Sequence, residues 1–165
     1  MSRSRALYIR NFVFGVEDSL VSTVGLLSGI ATGQVPHATI LLTGVIYIFV
    51  EGFSMAVGSF LSEESVEEYA AKGNVPDRLP ILGSVVMFIS FVAVGFIPIV
   101  PYMLWQGSVA VTISIVLSLF VLFLLGFIHG KISHINAASR AVRMALLGGL
   151  AIVIGVLVGN FFSIN

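Results

Sequence analysis

The sequence predicts an all-α integral membrane protein of five transmembrane helices, with its amino terminus in the cytoplasm and its carboxyl terminus outside. Three observations predict it. Hydrophobic residues make up 58% of the chain and charged residues 10%, with a mean hydropathy of +1.09, whereas a soluble domain carries about 25% charged residues. Five apolar stretches each approach the roughly 20 residues that a helix needs to cross a ~30 Å hydrocarbon core. All eight Lys and Arg residues fall on one side if the stretches alternate in direction.

The first span is expected over about 12–32. It contains Glu17 and Asp18 and lacks a small-residue cleavage pattern, so it reads as a retained span rather than a cleaved signal. The second is expected over 38–61, after the turn ATGQVPH, and the polar run SEESVEEYAAKGNVPDR follows it. The third, 80–100, ends at the turn PIVPYMLWQG, where Tyr102 and Trp105 fit an interfacial aromatic belt. The fourth, 108–128, is followed by the basic run HGKISHINAASRAVR, and the fifth is expected over 144–162. Arg3, Arg5 and Arg10, then Lys72 and Arg78, then Lys131, Arg140 and Arg143 share one side, and the positive-inside rule makes it cytoplasmic. The chain is expected to form a single transmembrane domain over 1–165. Its zero net charge provides no field to recruit nucleic acid. The absence of cysteine excludes disulfides, thiolate metal sites and thiol nucleophiles.

Three acids fall inside the predicted spans: Glu17, Asp18 and Glu51. An ionised side chain at mid-bilayer costs about 2.5–3.5 kcal/mol on insertion scales, so such residues mark function or pairing. Helical phase separates the adjacent pair. Asn11, Gly15, Asp18, Ser22, Gly25, Gly29 and Thr32 form one small or polar stripe, while Glu17 shares its stripe with Phe14, Val21 and Val24. Asp18 is therefore expected to face a seam or a pore, and Glu17 to snorkel or to pair with Arg10, Arg140 or Arg143. Gly25, Gly29 and Gly33 form overlapping small-xxx-small repeats that let membrane helices approach closely, and Gly25 and Gly29 are the expected dimer contact.

In the second span Glu51, Ser54, Met55, Gly58 and Ser62 share one side. A methionine in a membrane helix is most often filler. A thioether beside carboxylates is also a ligand mix suited to a borderline first-row metal, since Mg²⁺ and Ca²⁺ prefer oxygen shells. Asp18, Glu51, Met55, Ser22 and Ser54 are the candidate set for binding a metal or a proton in transit. Glu63, Glu64, Glu67 and Glu68 cluster on the continuation of the second helix. They read either as a solvated helix end, with Glu68 paired to Lys72, or as an acidic collar that gathers cations. His37, His129 and His134 fall at helix ends or in loops and read as interfacial residues. No phosphate-binding loop, HExxH or GxSxG pattern is present, so no enzyme class stands out.

These stretches resemble a known family. FGVEDSLVSTVGLLSGIATG is similar to the first-helix signature of the vacuolar iron transporter family, a G-x-x-D-G-L motif opening a Gly-rich span, and EGFSMAVGSFLSEES resembles its second helix. FIPIVPYML, LFLLGFIHGKIS and MALLGGLAIVIGVLVG resemble its third, fourth and fifth helices. The resemblance implies a homodimer of five-helix subunits in a prokaryotic cell membrane or a vacuolar membrane. It implies that Fe²⁺, and often Mn²⁺, is moved out of the cytoplasm in exchange for protons, as substrate rather than resident cofactor. By motif position Asp18 and Met55 correspond to the family's pore aspartate and pore methionine. Two departures stand out. Tyr47 occupies the position of the family's usual second-helix acid, with Glu51 one turn later. The Glu-rich three-helix domain that well-known members insert after the second helix is replaced by SEESVEEYAAKGNVPDR. A transporter of another cation on this scaffold, or a non-transporting assembly or sensor subunit, remains open on the sequence.

The topology is testable directly. A reporter fused after Asn165 is expected outside the cytoplasm and one inserted at Asn74 inside, and a cytoplasmic carboxyl terminus would overturn the five-span arrangement.

Overall fold

Short connections between long apolar segments force antiparallel neighbours, and that is the architecture of the computed structural model, which describes residues 3–73, 76 and 78–162. The helices are α1 (Arg3–Thr32), α2 (His37–Ala71), α3 (Arg78–Leu104), α4 (Gly107–Ile132) and α5 (Ala137–Phe161). All five are long and apolar enough to cross a membrane. The reporter positions Asn74 and Asn165 lie outside the described residues. Helix α2, at 35 residues, spans about 52 Å at 1.5 Å per residue. It therefore outruns the hydrocarbon core, and its glutamate-rich end projects beyond it, as the sequence leads one to expect.

Three features differ from expectation. Helix α3 runs through Pro98 and Pro101 instead of turning there. Both prolines are buried between helices, and a membrane helix tolerates proline where it is packed against its neighbours. The helix continues past both rings: Ser114 Oγ donates to the Pro98 carbonyl at 2.7 Å, and the Pro101 carbonyl accepts from Trp105 N–H at 2.9 Å. Helix α5 begins seven residues early, inside the basic run, because the Asn136 side chain accepts from Ser139 N–H at 3.0 Å and so caps a helix start. Tyr102 does not join an interfacial belt. It is 1% exposed and packs with Leu27, Ile48 and Ile99, whereas Trp105 is exposed.

Helix α1 is the central element and packs on all four others, most extensively on α5 and α3. Its small stripe makes this possible. A Cβ placed on Gly25 would stand 3.0 Å from the Ala151 carbonyl oxygen, and one on Gly29 would stand 2.5 Å from that of Gly155. Gly155 and Gly159 of α5 lie against the carbonyls of Gly25 and Gly29 in return. The contacts advance together along both helices, so α1 and α5 run parallel, as the first and last of five alternating spans must. The close approach of Gly25 and Gly29, expected between subunits, is thus made to α5 of the same chain. Hydrocarbon offers no hydrophobic drive for helices to associate, and close packing of small residues takes its place.

The basic residues gather at one end. Arg10 Nη2 meets Glu63 Oε2 at 2.8 Å, tying the start of α1 to the projecting part of α2. Gly83, near the start of α3, lies against Leu7 and Asn11 of α1. Gly130 and Gly126, near the end of α4, lie against Ala137 and Ala141 of α5.

The α1–α5 seam predicts a contrast between two glycines of α5. Gly155→Ala would drive a methyl into the Gly25 backbone and is expected to destabilise the protein by about 1–3 kcal/mol, the usual cost of overpacking. Gly149→Ala, with no atom within 4 Å of the added carbon, is expected to be neutral. Thermal unfolding in detergent reads both, and equal midpoints would refute the seam.

Candidate functional site

The site follows from how α1 is shared. Its small stripe is covered by α5 at Gly25 and Gly29, and the same stripe is left half-exposed on the protomer one to two turns earlier, at Asp18 and Ser22. Ser22 Oγ donates to the Asp18 carbonyl at 2.6 Å, a back-bond that satisfies the hydroxyl within its own helix. Across from it, α2 presents a half-buried stripe. Tyr47 lies beside Ser22, and Glu51 lies within electrostatic reach of both Tyr47 and Asp18. The fold thus brings Asp18, Ser22, Tyr47 and Glu51 together from two helices. Of these, Tyr47 was visible in the sequence only as a departure from a motif.

Met55 and Ser54 sit one turn further along α2 and line a cavity of about 930 Å³ toward the basic end of the bundle. Glu17, expected to snorkel or to pair with an arginine, is half-buried and lines the same cavity as Met55 and Ser54. Val24 of its stripe is fully buried and Val21 borders another groove, so the stripe is not one surface. Arg10 and Arg140, expected as partners for Glu17, also line the cavity, but Arg10 makes its ion pair with Glu63.

The four collar glutamates do not form one ring. Glu63 is buried and held by Arg10, Glu67 flanks a separate cleft with Tyr8 and Arg78, Glu64 is half-buried and Glu68 is exposed. Lys72 meets Glu68 through its backbone, its N–H donating to the Glu68 carbonyl where α2 ends in a left-handed residue. Of the histidines, His129 is half-buried at the end of α4 and lines the cavity, whereas His134 is exposed. Among the described residues, no group of three or more His, Asp or Glu side chains could hold a metal ion within one chain. Gly25 and Gly29 border, with Val21 and Ser22, an apolar groove of about 510 Å³ along the α1–α5 seam.

A two-carboxylate constellation on the first two helices, beside a methionine, can be compared with known proteins. The family model for the VIT family matches residues 9–75 and 72–160, two stretches that meet at the α2–α3 connection. Vacuolar iron transporter 1 of Tulipa gesneriana is 20% identical over 203 residues, covering 87% of this chain and 82% of that protein. That alignment is longer than this chain, so the relative carries extra residues within it. Vacuolar iron transporter of Toxoplasma gondii is 28% identical over 113 residues, covering 64% of this chain and 37% of that protein. An uncharacterized protein of Methanocaldococcus jannaschii is 26% identical over 163 residues, covering 88% of this chain and 84% of that one. Five apolar spanning helices together with these matches make the protein an integral membrane protein of a cell or organellar membrane. On a family match that covers nearly its whole length, the chain belongs to the VIT family.

Proposed function

We propose that this protein is a homodimeric transporter that moves a divalent first-row metal, Fe²⁺ or Mn²⁺, out of the cytoplasm in exchange for protons. The observation that carries the reading is the juxtaposition of Asp18 and Glu51 on two spanning helices, with Met55 one turn away on a cavity wall. Two neighbouring carboxylates in a medium of low dielectric cannot both hold bare charge cheaply. Protons relieve that cost, and so does one dication. Competition between them for the same oxygens couples metal movement to proton movement. Met55 adds a soft donor that favours a borderline metal over Mg²⁺, and the relatives named vacuolar iron transporter support iron as the cargo.

The dimer follows from the same face. Asp18, Ser22, Tyr47 and Glu51 are half-exposed on the protomer, and in hydrocarbon each carboxylate would cost about 2.5–3.5 kcal/mol. A second copy laid over the α1–α2 face withdraws them from lipid and doubles the carboxylates and thioethers around one axis. That arrangement supplies the ligands that a single chain lacks. Glu17, lining the cavity with Met55, then acts on the approach to the site rather than in it, and the glutamates of the projecting end of α2 raise the local cation concentration.

Metal flux into liposomes under an imposed pH gradient tests the mechanism. Asp18→Asn keeps size and a carbonyl oxygen but removes charge and titration, so flux is expected to fall to the level of protein-free liposomes in a protein that inserts and dimerises normally. Glu17→Gln is expected to raise the half-saturating metal concentration several-fold while sparing flux at saturation. Met55→Leu is expected to reduce Fe²⁺ flux several-fold more than Mg²⁺ flux. Near-normal flux in folded Asp18→Asn would overturn the exchange site.

Cross-linking tests the dimer in this cysteine-free chain. Ser22→Cys on the shared face is expected to link two subunits. Val116→Cys, on an exposed part of α4, is not. Equal yields at the two positions would remove the proposed interface.

A further inference from the structure

The 930 Å³ cavity carries more than the transport reading uses. Besides Glu17 and Met55, its lining includes Arg10, Asn11, Ser59, His129 and Arg140, drawn from α1, α2, α4 and α5. Four of these residues hold a buried polar atom with no hydrogen-bond partner: Asn11 Nδ2, Ser59 Oγ, His129 Nδ1 and Arg140 Nε. Asn11 is itself only 2% exposed. Buried polar groups are nearly always paired, and each exception calls for an explanation. Among the described residues eight side chains hold such an atom, and these four line one space; a guest in that space is a common source of partners for all four.

Their chemistry selects the guest. All four side chains can donate, and a guanidinium only donates. The charged groups lining the cavity are Arg10, Arg140 and Glu17; Arg10 is already paired with Glu63 at 2.8 Å, so Arg140 is the guanidinium whose charge and donors face the cavity without an ion pair among the described residues. A metal ion is a poor fit, because Arg140 repels it and offers no lone pair. An oxyanion with several acceptor oxygens matches both the donors and the charge, and arginine forks around such groups with paired N–H bonds. Ile9, Val13 and Phe14 line the same cavity, and Ile9 and Phe14 are half-exposed at the protomer surface. That apolar flank beside a basic pocket between membrane helices has the form of a headgroup site.

We propose that the cavity at the basic end of the bundle binds a phosphate-type oxyanion, held by Arg140 with Asn11, Ser59 and His129. The phosphate is carried either by an acidic phospholipid, with a chain along Ile9, Val13 and Phe14, or by free inorganic phosphate. The inference does not rest on metal transport, and its test reads binding alone.

The test uses the purified full chain in detergent, unaltered and as the Arg140→Gln and Arg143→Gln variants. Arg143 is exposed and does not line the cavity, so its variant controls for the loss of one positive charge. The probes are inorganic phosphate, dioleoylphosphatidylglycerol, and dioleoylglycerol, which has the same chains without the phosphate. Radiolabelled phosphate binding, and lipid retention in native mass spectrometry, are the readouts. The unaltered protein and Arg143→Gln are expected to bind a phosphate-bearing probe, and Arg140→Gln is expected to weaken that binding about tenfold, the usual effect of one charge-assisted hydrogen bond. Retention of the phospholipid without binding of free phosphate identifies the headgroup as the source, and saturable phosphate binding without lipid identifies the free ion. Should Arg140→Gln not fold, Ser59→Asp, which adds a carboxylate to the cavity, carries the same expectation. No binding of either phosphate-bearing probe to the unaltered protein would overturn the proposal. So would equal retention of dioleoylglycerol, or equal weakening by the Arg140 and Arg143 substitutions.

Discussion

The structure depends on the contact between α1 and α5 at their backbones. In a membrane every helix can satisfy its own hydrogen bonds and every face can be apolar, so the burial that organises a soluble core gives little direction. Surface complementarity has to supply it. Gly25 and Gly29 meet Ala151, Gly155 and Gly159 with almost nothing between the helices, a fit that a side chain at any of the four glycines would break. Once that seam is set, the orientation of α1 about its own axis is fixed. Leu20, Val24 and Leu27 turn into the protein interior, and Asp18 and Ser22 turn toward the edge shared with α2.

Orientation of α1 determines the electrostatics of the bundle, because α1 carries two of the three acids that lie within the spanning segments. Adjacent residues on a helix are about 100° apart, so no rotation of α1 can direct Glu17 and Asp18 to the same place. Asp18 goes to the cluster with Glu51 and Tyr47, and Glu17 goes to the cavity with Met55 and Arg140. The Arg10–Glu63 pair acts on the same rotation from the end of the helix, because it anchors α1 to the projecting end of α2.

The number and approximate extent of the helices were legible in the sequence, because length and hydropathy alone decide which segments can span a bilayer. The start of α5 was not, since a basic run that looks like a loop is helical once Asn136 caps it. Passage of α3 through Pro98 and Pro101 was not, since a proline reads as a stop until it is seen packed between helices. The Asp18 stripe was legible as small and polar, but periodicity gives a stripe without saying which helix meets it. The glycines therefore read as a contact between subunits when α5 fills that role within the chain. Val21 and Val24 share the helical phase of Glu17 without sharing its surroundings, so the phase alone did not show that Glu17 and Phe14 line a cavity. Polar and apolar faces separate cleanly only where one side is water, and here lipid, protein and cavity alternate around the helix.

The cavity raises a problem of charge that the arrangement itself resolves. In the proposed transport reading, a dication approaching Met55 and Glu17 would pass Arg140, which has no ionic partner among the described residues, whereas Arg10 is offset by Glu63. At an effective dielectric constant of about 20 and a separation of about 8 Å, Coulomb's law puts the repulsion between a guanidinium and a dication near 4 kcal/mol. That would lower the local metal concentration by about a thousandfold, since 1.4 kcal/mol is a factor of ten. Glu17, a carboxylate on the same wall, opposes that repulsion. Without its charge, as in Glu17→Gln, the barrier from Arg140 stands unless an anion sits against the guanidinium. Loss of charge at Glu17 and occupancy of the proposed oxyanion site would therefore act on one quantity, the potential met by a metal on its way to Asp18, from opposite directions.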